Sequence, residues 1–137
     1  MKITTLLLCL LFIPSLATSS KKEDCIDFLQ ELNLKPTELT FQSCKKVEKA
    51  PAVLFESYYS VSGVQAKTVE DFLHKKFNLK RLRFVCCGWE TNPTTYQSKN
   101  GNTYSINMHS YDEYNFQEKW RDYKEFKVII GKYIILP

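Results

Sequence analysis

The sequence predicts an α+β domain: an antiparallel sheet of about five to six strands, with two or three helices packed mainly on one face and disulfides stapling the whole. Three observations point there. Short apolar runs with period-two alternation outnumber helical ones, those runs sit next to one another along the chain, and Cys25, Cys44, Cys86 and Cys87 form an even set downstream of an apolar leader.

Asp24 can cap a helix over Cys25 to Leu32, where Ile26, Phe28, Leu29 and Leu32 form the apolar stripe and Asn33 and Pro36 close it. Glu38 to Val47 alternates, with Leu39 and Phe41 on one face and Thr40 and Gln42 on the other, and Val53 to Val61 supplies a hairpin partner that ends at Gly63. From Gln65 to Phe77, the residues Ala66, Val69, Phe72, Leu73 and Phe77 recur at helical spacing. Leu82, Phe84 and Cys86 alternate with Arg83, Val85 and Cys87 in a third strand ending at Gly88. Thr94 to Gln97 and Thr103 to His109 flank Lys99-Asn100-Gly101-Asn102, whose Asn-Gly pair signals a second hairpin. Phe116, Trp120 and Tyr123 suggest a short helix before a last, β-branched strand from Phe126 to Leu136.

Lys2, the apolar run from Ile3 to Leu16 and the small residues around Ser15-Leu16-Ala17 read as a secretory signal over 1–17, leaving 18–137 as a single globular domain. The run is shorter than the roughly 20 residues a membrane span requires. No later run replaces it, so no membrane span is predicted in the mature chain. The formal charge of +4, set against 15 acidic residues, is too small a bias to suggest nucleic acid. The basic stretch Lys75-Lys76, Lys80-Arg81 and Arg83 brackets a helix C-terminus, where cations suit the helix dipole.

An exported chain with four cysteines favours two disulfides. Neighbouring strand residues point to opposite faces, so Cys86 and Cys87 are expected to find different partners. Cys86 shares the core side with Leu82 and Phe84. Cys44 has the parity of Thr40 and Gln42. The pairing expected is therefore Cys25–Cys86 and Cys44–Cys87, with the swapped connectivity next and a vicinal Cys86–Cys87 bond last. The spacing of paired zinc ligands is missing, so no metal is predicted.

No catalytic constellation emerges. His109 precedes Tyr111, Asp112 and Glu113, but no nucleophile is placed beside it, and Ser57, Ser60 and Ser110 lack a nucleophile-elbow context. His74 four residues after Glu70 reads as an exposed helical pair. Only four glycines occur and none builds a phosphate loop, so no cofactor is predicted either. Aromatic residues interleaved with polar ones crowd the C-terminal half instead. Trp89, Tyr111, Tyr114 and Trp120 are the candidate binding residues, because Tyr and Trp combine large rigid contact area with a polar handle.

Cys86-Cys87-Gly88-Trp89-Glu90, taken with Tyr58, Gly63, Val69-Glu70 and Leu73, resembles a family of small exported bacterial domains of unknown function. The resemblance implies a periplasmic or extracellular location and transfers no active-site residue. The function expected is a non-enzymatic exported module that binds a protein or peptide, of the inhibitor, immunity or envelope-accessory type. The alternative is a small secreted hydrolase acting on cell-wall or glycan substrates through Glu90, His109 or Asp112.

Overall fold

In the computed structural model the described residues are 24–49, 52–110 and 117–134. The leader expected over 1–17, with Tyr111, Asp112 and Tyr114, lies outside them. Seven strands form one antiparallel sheet: β1 (Thr40–Lys49), β2 (Ala52–Val61), β3 (Arg83–Val85), β4 (Gly88–Glu90), β5 (Thr94–Gln97), β6 (Thr103–His109) and β7 (Phe126–Ile134). The order is β1-β2-β7-β6-β4-β3, with β5 also on β6. Among the described residues, two helices, α1 (Phe28–Glu31) and α2 (Ala66–Phe77), and a 3₁₀ turn at Trp120–Asp122 accompany the sheet.

The expected α+β class stands, with more strands than expected. The additional strand arises where one continuous strand was predicted from Leu82 to Cys87. Cys86 instead takes φ 50° and the Cys87 N–H donates to Val85 O at 2.6 Å, so the chain reverses over two residues and Val85 pairs with Gly88. Strands β4 and β5 then follow one another along the same edge of β6, at Glu90↔His109 and Thr94↔Ile106. Thr91 bridges the break, its N–H donating to Met108 O and its Oγ1 accepting from Met108 N, each at 2.9 Å.

One face of the sheet carries the core. Tyr59, Val61, Tyr104, Ile106, Met108, Phe126, Val128 and Ile130 are buried there beneath Phe28 and Leu29 of α1 and Val69, Leu73 and Phe77 of α2. Edge-to-face ring pairs join the layers at Phe28–Tyr104 (5.9 Å) and Phe77–Tyr96 (5.0 Å). Side chains of alternate strand residues point the other way, which puts Tyr58, Lys127, His109 and Glu90 on the opposite face.

Helix α1 is one turn long, and Asp27 caps it in place of Asp24: Asp27 Oδ1 accepts from Gln30 N at 3.1 Å. The same carboxylate accepts from the Tyr59 hydroxyl at 2.8 Å and from Lys35 Nζ at 2.6 Å. Burial alone would raise the Asp27 pKa, but the hydrogen bonds from Lys35, Gln30 and Tyr59 outweigh it and hold the carboxyl below its ordinary range. Asn33, at φ 54°, closes the helix as predicted: Leu34 N donates to Leu29 O and Asn33 N to Gln30 O, the bond pair of a Schellman motif.

The disulfides correct the expected pairing. Cys25 is bonded to Cys44, with Cα atoms 5.5 Å apart, and Cys86 is bonded to Cys87. A bulge explains the first. Phe41 pairs with Tyr59 and Ser43 with Tyr58, leaving Gln42 as an extra residue that inverts the parity of everything after it. Cys44 therefore lies opposite buried Ser57, on the core face, where the segment before α1 brings Cys25. The hairpin reversal explains the second, since it places Cys86 and Cys87 together in a loop rather than on two faces of one strand.

Glu70 is a further correction. It is not an exposed partner of His74 but is 2 % exposed. Glu70 Oε1 accepts from Leu82 N at 2.8 Å, and Oε2 meets Arg81 Nη1 at 3.0 Å and Lys67 Nζ at 3.3 Å. The carboxylate thereby ties α2 to the segment leading into β3, and a buried acid with a full set of donors is the arrangement such burial requires.

Candidate functional site

The site grows from the ends of three elements. Strand β4 presents Trp89 from the core side of the sheet, and the 3₁₀ turn lays Trp120 against it, ring centroids 5.6 Å apart at 72°. Phe84, Trp89's partner across the β3–β4 hairpin, extends the contact at 5.8 Å. Trp120 leans on buried Phe126 at 5.9 Å, and Tyr123 meets the same ring at 5.3 Å. The result is a chain of rings from the core to the surface. Among the described residues Phe84 is the most exposed of these rings, at 45 %.

Hydrogen bonds fix Trp89 from both sides. Its N–H donates to Ser110 Oγ at 2.9 Å and its carbonyl accepts from Ser110 N at 2.8 Å, while the indole Nε1 donates to Gln117 O at 3.4 Å. Gln117 N in turn donates to the Tyr123 hydroxyl at 3.1 Å.

On the other side of Trp120 lies an open groove of about 510 Å³, lined by Gly63, Val64, Lys67, Lys119, Trp120 and Arg121. Gly63 makes this geometry possible. A Cβ there would sit 2.1 Å from Trp120 O and 2.4 Å from Tyr123 O, so only glycine lets the β2–α2 connection lie directly on the turn. Val64 is left 71 % exposed beside it.

Of the four candidate binding residues, the structure brings Trp89 and Trp120 together, and Tyr111 and Tyr114 lie outside the described residues. Sequence reasoning missed Phe84, assigned to the core, and Val64, which no pattern singled out. The Cys-Cys loop is the signal that could have found Phe84, because a hairpin two residues later puts it at the rim of the sheet.

A second group sits on the opposite face. Arg83, Glu90, His109 and Lys127 form a row across β3, β4, β6 and β7. Burial, then Lys127, pushes the His109 pKa below its ordinary value, with Glu90 pulling the other way. Of the residues considered for hydrolysis, Glu90 and His109 are thus cross-strand neighbours, and Asp112 lies outside the described residues. Among the described residues no group of three or more His, Cys, Asp or Glu side chains could hold a metal ion.

Comparison with curated proteins and with solved structures returns no match. A family profile does match, over residues 15–89, which runs through α1, β1, β2, α2 and β3 and stops at Trp89, short of Trp120. The chain therefore belongs to the DUF4952 family, a domain of unknown function.

Proposed function

We propose that this protein is a non-enzymatic exported module that binds a protein or peptide partner on the face built by Phe84, Trp89, Trp120 and Val64. The single observation that carries the reading is the Trp89–Trp120 contact, continued outward into exposed Phe84 and Val64. Rigid aromatic side chains anchored at the edge of a core are the residues that dominate protein interfaces, because little entropy is lost when they are covered. Export is supported by the apolar leader and by the cystines, which persist in oxidising compartments. No helix among the described residues is long and apolar enough to cross a membrane. A bacterial periplasmic or surface setting, with Cys-Cys-Gly-Trp-Glu as a family signature, belongs to the same proposal. So do inhibitor, immunity and accessory roles.

A photo-crosslinking side chain at Phe84 tests it against one at Lys99, in the distant β5–β6 turn, both in the intact exported protein. The expected result is a discrete crosslinked partner from Phe84 and none from Lys99. Equal labelling from both positions would remove this face from consideration.

The alternative is a small secreted hydrolase, favoured by the cross-strand pairing of Glu90 with His109, whose lowered pKa suits a general base. Glycan hydrolysis by the native protein, abolished in His109→Ala, would favour it.

A further inference from the structure

We infer that the partner presents an acidic segment carrying an apolar side chain, seated in the groove between the start of α2 and the 3₁₀ turn. The inference rests on reading this face as a docking surface and adds the chemistry of what docks.

The groove has two characters. Its apolar part is exposed Val64 and half-buried Trp120, whose ring is supported by Trp89 and Phe126. Its polar part is Lys67, Lys119 and Arg121, and the described lining contains no carboxylate. Lys67 is committed to Asp71 at 2.5 Å and Glu70 at 3.3 Å. Exposed Lys119 and Arg121, one on each side of Trp120 in the chain, are the remaining cations of the lining.

This combination selects among ligand classes. A small anion would satisfy the cations but leave Val64 and the indole in water. A neutral apolar segment would cover those and forgo the charge. An acidic segment with a leucine or phenylalanine among its carboxylates meets both, the apolar side chain against Trp120 and the carboxylates on Lys119 and Arg121. Glu118, Asp122 and Glu125 alternate with the cations in the chain and confine the positive part of the groove to Lys119 and Arg121, which is too short for a nucleic-acid backbone and matches one or two carboxylates. The walls are in direct backbone contact at Gly63, so the groove is formed before anything binds and little ordering opposes docking.

The test uses the full exported chain and three fluorescein-labelled 12-residue peptides sharing the same Leu and Phe positions, flanked by Glu, Ser or Lys, read by anisotropy. The Glu-flanked peptide is expected to bind about tenfold more tightly than the Ser-flanked one, and to weaken by about tenfold between 50 and 300 mM salt. Lys119→Glu with Arg121→Glu should reverse the order, favouring the Lys-flanked peptide. Both positions are exposed, so folding is preserved and a melting curve confirms it. Val64→Ser, at an equally exposed position and without a change of charge, separates the two claims. If all three peptides bind alike and Val64→Ser weakens all three, the docking face stands and the acidic partner is wrong. If Val64→Ser leaves binding unchanged, the docking face falls as well, and absence of binding by any peptide overturns both.

Discussion

A disulfide's contribution depends on how much chain it closes, and the two here close very different lengths. Cys25–Cys44 spans 19 positions, which on the loop-closure account contributes about 3 kcal/mol. Cys86–Cys87 joins adjacent residues, so it restricts almost none of the unfolded ensemble. Replacing Cys25 and Cys44 by Ser should therefore cost about 3 kcal/mol in urea unfolding, and replacing Cys86 and Cys87 well under 1 kcal/mol. Equal losses from the two pairs would contradict this assignment. These same residues mark the limit of what was legible at this scale. Parity along β1 is a sound inference until one residue is inserted, and Gln42 carries no mark that it bulges. Glu70 is similar: its burial depends on the Leu82 N–H, twelve residues away, which no local pattern reveals.

Among elements, the long periodic ones were readable and the short ones were not. Helix α2 and strands β2 and β7 carry enough apolar repeats to fix their type, and Asn100-Gly101 announced the β5–β6 turn, where Gly101 takes φ 84°. The β3–β4 hairpin escaped because three-residue strands show no period and a Cys-Cys loop lacks the usual turn residues. The junction of β2 with α2 was legible only as a strand end at Gly63, yet it positions the candidate site. Gly63→Ala would drive a methyl into the backbone of the 3₁₀ turn, which cannot yield as a flexible side chain would. We expect a loss of about 2–3 kcal/mol in denaturant unfolding. Peptide binding should weaken with it, because the turn that carries Trp120 must shift. Unchanged stability would mean that the two segments do not touch as described.

For the molecule as a whole, the sheet separates two surfaces. One carries the helices and, at its edge, the rings of Phe84, Trp89 and Trp120; the other carries the Glu90, His109 and Lys127 row. The sequence pattern disclosed the layer that the helices cover, and half of the candidate binding residues proved to be neighbours. The groove itself could not be foreseen, since it is made by segments some fifty residues apart that meet only in the fold. The two tryptophans of the chain are both in this cluster, so tryptophan emission, excited on the long-wavelength side of tyrosine absorption, reports on it alone. Titrating the native protein with the Glu-flanked peptide, carrying no label and no tryptophan, is the most direct measurement of the account. A saturable change in tryptophan emission is predicted, weakened in Val64→Ser and lost in the Lys119→Glu, Arg121→Glu double variant. Binding detected by calorimetry with no change in that emission would place the partner elsewhere on the molecule and contradict it.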